Sequence, residues 1–181
     1  VPNNANPAQV INMSLGGGGG CGATFQNAIN SAVNRGSVVV VAAGNDNTNV
    51  SNASPANCNN VVAVAALDRQ GNRASYSNFG AGIDITAPGG ETANLSNGVR
   101  STLNSGTTTP AGQSYAFFQG TSMAAPHVAG LAALMLDADG SLTPAQIESR
   151  LKSNARPIPG SCSGGCGAGV ADAAATISDI L

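Results

Sequence analysis

Ser122 stands in Gly120-Thr121-Ser122-Met123-Ala124-Ala125-Pro126-His127-Val128-Ala129-Gly130, directly before the apolar run Leu131-Ala132-Ala133-Leu134-Met135-Leu136. Small residues followed by that run predict a helix that opens at the serine. A hydroxyl in this place can serve as a nucleophile. The free N–H groups and the dipole of a helix N-terminus favour the negative charge that forms when it attacks a carbonyl. Serine alone is nevertheless a weak nucleophile and needs a base. The single histidine of the chain, His127, follows five residues later, so about 500° of helical rotation leaves it roughly 140° around the helix from Ser122. It is excluded as the base and reads as a partly buried packing residue. The competing structural reading is that Gly120-Thr121-Ser122 only caps a buried helix.

Two further constellations carry possible chemistry. Val41-Ala42-Ala43-Gly44-Asn45-Asp46 reads as a buried parallel strand that ends in an amide and a carboxylate, and sites in open α/β sheets gather at the carboxyl ends of strands. The Asn45 amide could donate to an oxyanion there; taken alone, Asn45-Asp46 could equally be a turn. Ser14-Leu15 followed by Gly16-Gly17-Gly18-Gly19-Gly20 lies between a strand and a helix. It contains G-x-G-x-x-G at Gly17, Gly19 and Gly22, the pattern of a dinucleotide loop. Five consecutive glycines meet almost any glycine motif by chance, so that match says little. A loop tied down by Cys21, or a backbone segment at residues 14–17 that pairs with an extended peptide, explains the run as well.

These groups need elements to hold them. Gln9-Val10-Ile11-Asn12-Met13 reads as a strand, and Phe25, Ala28, Ile29, Ala32 and Val33 follow helical spacing up to a stop at Gly36. Val38-Val39-Val40-Val41-Ala42-Ala43 is apolar without alternation, as in a strand buried on both faces. Residues 61–66 and 83–87 supply further strands, so the class is α/β, a mostly parallel sheet with helices on both faces. Residues 89–119 turn Thr-, Ser- and Asn-rich and read as a hairpin or long surface loop. Thr143-Pro144-Ala145-Gln146 is a capping box with Pro at the first helical position, a Leu142/Ile147 staple and a helix through about Ser153. Residues 170–181, rich in alanine, read as a closing helix. Asp137-Ala138-Asp139-Gly140 resembles the start of a calcium loop but has no Glu at the twelfth position and reads as a turn. Neither a repeat nor a linker divides the chain.

Composition narrows the class. Length of 181 residues suits one domain. Charged residues make up 9% of the chain, against about 25% in an average soluble domain. A net charge of −2 without any Lys/Arg cluster argues against nucleic acid or an anionic membrane as partner. No apolar run approaches the roughly 20 residues of a membrane span. Val1-Pro2-Asn3-Asn4-Ala5-Asn6-Pro7 lacks the basic and apolar regions of a signal peptide, so a secreted protein would have lost its signal upstream. The four cysteines allow three pairings. Cys162-Ser163-Gly164-Gly165-Cys166 reads as a local closed loop, which leaves Cys21 to meet Cys58. A zinc site is disfavoured, because Cys21 and Cys58 lack the close spacing of structural ligands.

Taken in order, Ser14-Leu15-Gly16-Gly17, Ala42-Ala43-Gly44-Asn45 and the 120–130 motif closely resemble the subtilisin-like serine peptidases, above all secreted bacterial members with disulfides. The resemblance covers essentially the whole chain. It implies an acyl-forming Ser122 and an oxyanion site built from the Asn45 amide and the Ser122 N–H. Ser14, Leu15, Gly16 and Gly17 would form one wall of a peptide groove; Ala42, Ala43 and Gly44 would form the other, with Ala53 at the floor of the pocket, Asp46 at its rim and Thr121 beside it. An acidic Asp46 would moderately favour basic side chains, within a broad specificity set by the small lining residues. Ser54-Pro55 matches a common cis peptide. The carbonyls of Ala56, Cys58 and Val61 with the Asp84 carboxylate match a structural cation site for Ca²⁺ or a monovalent ion; Asp84 could also be a solvated strand residue.

The family's Asp-Ser/Thr-Gly and His-Gly-Thr motifs occur nowhere in the 181 residues. Residues 1–181 are therefore expected to be the C-terminal portion of one catalytic domain, N-terminally incomplete. Its partners are expected to be a peptide or protein substrate and a missing N-terminal segment that carries the catalytic Asp and His. Alone the chain is expected to be inactive. A rival reading is a non-catalytic chain on the same fold, with Ser122 inert, that binds peptides or a partner.

Overall fold

A computed structural model describes residues 4–181; Val1, Pro2 and Asn3, the first residues of the segment that lacks signal-peptide features, lie outside the described residues. In chain order the elements are β1 (Val10–Met13), β2 (Gly17–Gly18), α1 (Ala23–Val33), β3 (Val38–Ala42), β4 (Ala53–Ser54), β5 (Val62–Leu67) and β6 (Ile85–Pro88). There follow β7 (Val99–Asn104), β8 (Gln113–Phe118), α2 (Thr121–Ala138), α3 (Pro144–Ser153) and α4 (Ala173–Ser178). Two short 3-10 turns lie at Val50–Asn52 and Leu95–Asn97.

The main sheet is parallel, in the order β1-β3-β5-β6, with Met13 beside Val41, Val41 beside Ala63, and Val64 beside Ile85. Its central strands β3 and β5 are buried along their whole length, which is what an apolar run without alternation requires when both faces are covered. Because side chains alternate, each strand feeds two cores. Val38, Val40, Val62, Val64, Ile85 and Ala87 pack with α2 and α3 on one face. Val39, Val41, Ala63, Ala65 and Ile83 pack with Ile29 and Ala32 of α1 on the other. The α/β expectation of helices on both faces holds.

Local signals explain the boundaries. Helix α1 stops where Gly36 takes φ +90°, a left-handed conformation that glycine adopts without cost. Helix α3 carries the full capping box between Thr143 and Gln146, with Pro144 at its start. Leu142 and Ile147 are both buried in the same core, as a staple demands. The polar 89–119 region contains the antiparallel β7/β8 hairpin.

Three expectations are corrected. Strand β6 starts at Ile85 rather than Ile83, because Ile83 is buried on the α1 side before the ladder begins. The closing helix is only Ala173–Ser178, because Val170 is drawn into bridges with Thr86 and Arg156 instead of a helical turn. His127 is exposed, with Nδ1 2.8 Å from the Met123 carbonyl of its own helix.

Candidate active site

Strand β3 ends at Ala42, and the chain must turn at once to bring Asn45 to the sheet's carboxyl end. Gly44 makes that turn at φ +103°, and a Cβ there would lie 2.3 Å from Asn78 Nδ2. Asn78, fully buried, holds the turn from inside: Nδ2 donates to the Ala43 carbonyl at 2.8 Å, and Oδ1 accepts the Asp46 and Thr48 N–H groups at 3.1 and 3.0 Å.

Thr121, buried at the start of α2, then fixes Asn45. The Thr121 N–H donates to Asn45 Oδ1 at 2.9 Å, and the Thr121 hydroxyl donates to the same oxygen at 3.0 Å while accepting the Gly44 N–H at 3.1 Å. A backbone N–H can only donate, so the Asn45 amide must present its oxygen to Thr121 and keep its NH₂ group on the other side. Among the described residues Asn45 Nδ2 has no acceptor, and the Ser122 N–H, at the second position of α2, has none either. A helix start leaves such donors free by construction.

The Ser122 hydroxyl donates only weakly, to the Ser14 carbonyl at 3.4 Å. Its backbone is held more firmly. Pro126 lies in the second turn of α2, not the first turn or so expected from the motif, and its missing N–H frees the Ser122 carbonyl four residues back. That carbonyl accepts the Ser14 hydroxyl at 2.9 Å, and Ser14 Oγ in turn accepts Asn12 Nδ2 at 2.9 Å. The proline's cost is thus offset by a bond that ties the serine to the end of β1.

These residues share a cleft of about 310 Å³, lined by Ser14, Leu15, Gly16 and Gly17 on one side and by Ala42, Ala43, Gly44, Asn45 and Asp46 on the other, with Ala53, Ser54, Thr121 and Ser122 completing it. Every residue named from sequence as nucleophile, amide donor or groove lining therefore meets in one place. Residues 14–16 belong to no strand, while Gly17 already pairs with Ser54 through β2 and β4. Buried Ala53 lies on that β4 side, and the Ser54-Pro55 bond is cis. The Cys21–Cys58 disulfide, with Cα atoms 5.1 Å apart, joins the end of the glycine run to the turn after Pro55. The second disulfide closes Cys162 on Cys166.

The proposed cation ligands are less available. Asp84 Oδ2 accepts the Ala63 N–H at 2.8 Å, and Oδ1 accepts Lys152 Nζ at 2.8 Å, so both oxygens of the set's single carboxylate are engaged. Among the described residues no group of three or more His, Cys, Asp or Glu could hold a metal. The donor set, with carbonyls of Ala56, Cys58 and Val61 besides, does not fit a bound divalent cation.

Tyr76 escaped the sequence reading, as did Asn78. The Tyr76 hydroxyl donates to the Gly90 carbonyl at 2.7 Å and accepts the Gly120 N–H at 3.0 Å, linking the 89–90 turn to the residue that caps α2. Burial holds the phenol's pKa well above its ordinary value. Because the folded value is raised, its contribution to stability is complete below the ordinary tyrosine range and is lost as pH climbs through the folded one. Tyr76→Phe strips both partners, although the Gly120 N–H keeps a bond to the Gly89 carbonyl at 3.0 Å. We expect a loss of about 1–2 kcal/mol, measured by urea denaturation at neutral pH.

Comparisons with known proteins bear on the family and the fold. The model of the subtilase family matches residues 2–169. The chain is 61% identical over 179 residues to an extracellular protease of Xanthomonas campestris pv. campestris, covering 98% of this chain and 30% of that protein. It is 43% identical over 185 residues to an extracellular basic protease of Dichelobacter nodosus, covering all of this chain and again 30% of the relative. A solved protease structure from Pseudoalteromonas arctica superposes with a TM-score of 0.94 at 55% identity, over 100% of this chain and 54% of the other. The chain thus spans about a third of the length of these curated relatives.

Proposed function

This chain belongs to the subtilase family, and from that premise we propose that it is the nucleophile-bearing part of a secreted serine endopeptidase. Ser122 Oγ attacks the carbonyl of a peptide bond seated between residues 14–17 and 42–46, and an acyl-enzyme forms with loss of the amine. The observation that carries this reading is the pair of unpartnered donors, Asn45 Nδ2 and the Ser122 N–H, in one cleft with the Ser122 hydroxyl. Two fixed donors in a confined site suit a tetrahedral oxyanion, which they can stabilise without reorganisation. Asp46 at the rim adds a preference for basic side chains. Export is in keeping with the two disulfides and with relatives named extracellular.

The base and its orienting carboxylate come, in this reading, from a segment outside the 181 residues. Two surfaces suit such a segment. Among the described residues strand β1 pairs only with β3, which leaves its other edge open at one side of a parallel sheet. Helix α2 is apolar on nearly all sides, yet Pro126, His127, Gly130, Ala133 and Leu134 are exposed, and a helix of that kind is normally covered. A cleft lined by Gln9, Val10, Ala133, Leu136 and Asp137 joins the two.

The protein at its full natural length is expected to hydrolyse an unfolded protein substrate such as casein. Ser122→Ala should abolish the activity while leaving the thermal melt unchanged. Peptidase activity that survives this substitution would refute Ser122 as nucleophile.

A further inference from the structure

Helix α3 projects Glu148 and Lys152 from the same face, four residues apart, toward the segment that begins β6. Lys152 Nζ lies 2.8 Å from Asp84 Oδ1 and 3.2 Å from Glu148 Oε1, so one ammonium touches both carboxylates. Glu148 also shares a small cleft with Asn60, Val61 and Val62, and Asp84 is bound to Ala63 by its side chain and by its own N–H. The ammonium therefore binds Asp84, the one carboxylate of the expected cation ligands, and its second partner Glu148 lies beside another of them, Val61. Removing it would leave two carboxylates, Asp84 and Glu148, facing one point, and carboxylate oxygens are the donors that calcium prefers.

We propose that Lys152 is a tethered cation, an ammonium supplied by the chain itself that takes the place of a bound metal ion and joins α3 to the edge of the sheet at Asp84. The Asp84 side chain is 17% exposed and that of Lys152 41%, so the carboxylate is shielded while the ammonium still meets solvent. This inference does not depend on the peptidase reading, because it concerns stability alone.

The test is thermal melting of the full natural protein, in a Ser122→Ala background to prevent self-digestion, in chelated buffer and after addition of calcium chloride or potassium chloride. Ions that bind elsewhere shift every variant alike, so the readout is the difference between variants. Lys152→Met should melt about 1–2 °C below the parent in chelated buffer and regain much of the loss with calcium. Lys152→Arg, which keeps the charge, should show no such added calcium response and also guards against a general intolerance of substitution. Adding Asp84→Asn to Lys152→Met should remove the gained response. Two results would overturn the proposal. One is a Lys152→Met protein whose loss no cation recovers. The other is a parent protein whose own calcium response disappears on Asp84→Asn, since a metal would then already share the site with the lysine.

Discussion

Asn45→Ala, made in the protein at its full natural length, is expected to lower kcat for peptide hydrolysis by about 10²–10³ with little change in KM; the magnitude is the one established for the oxyanion-hole asparagine of subtilisin, a member of the same family. The geometry of this chain supplies the reason for the split between kcat and KM. Thr121 occupies Asn45 Oδ1 with two hydrogen bonds, so only the NH₂ group faces the cleft. A ground-state carbonyl gains little from that donor, whereas the oxyanion of the tetrahedral intermediate gains a full charge-assisted bond. Asn45→Asp should be at least as damaging, because it puts a carboxylate where negative charge must develop. Stopped-flow or steady-state kinetics on a chromogenic peptide would read both effects. A large rise in KM with kcat preserved would show that Asn45 binds substrate rather than the transition state.

The second large effect concerns the base that Ser122 requires as a nucleophile. The 181 residues contain one histidine, and it is directed at the Met123 carbonyl of its own helix. Nothing in the described residues takes a proton from Ser122 Oγ, whose hydrogen bond to Ser14 is long. The chain without any further segment is therefore expected to work about 10⁶-fold more slowly than the full protein, a figure that again belongs to removal of the catalytic histidine from subtilisin. The remaining rate would come from the oxyanion donors alone. His127→Ala should leave the full protein's activity within a small factor of its starting value, since that side chain lines no part of the cleft. A loss comparable to that of Ser122→Ala would mean that His127 is recruited after all.

Much of this architecture could be read from local sequence, and the parts that could not share a physical cause. Residues 38–42 betrayed a doubly buried strand because no polar residue interrupts them. The 143–146 capping box and the position of Ser122 at a helix start are likewise short-range signals, settled by residues within one turn of each other. Tyr76 and Asn78 were invisible because Ser75-Tyr76-Ser77-Asn78 is a short polar stretch between strands with nothing to single out either residue, and the Gly120 and Ala43 groups they bind lie 44 and 35 residues away in sequence. Lys152 reads as an ordinary surface lysine of an amphipathic helix until the fold brings Asp84, 68 residues distant, beneath it. The motif placed Pro126 too early in its helix. Only the structure shows that the carbonyl it frees is taken by Ser14, 108 residues before Ser122. Val170, too, looks helical among alanines, and it takes tertiary pairing with Thr86 and Arg156 to override that preference.

We propose that the cleft and its donors lie within this chain and that the activation of its serine comes from a further segment. That statement is tested most directly by fluorophosphonate labelling followed by peptide mass mapping, applied in parallel to the full protein, to its Ser122→Ala variant and to residues 1–181 alone. We expect rapid formation of a single adduct on Ser122 in the full protein, none in the variant, and labelling of the isolated chain no faster than that of an ordinary serine. Rapid labelling of residues 1–181 alone, or an adduct in the full protein at any residue other than Ser122, would contradict it.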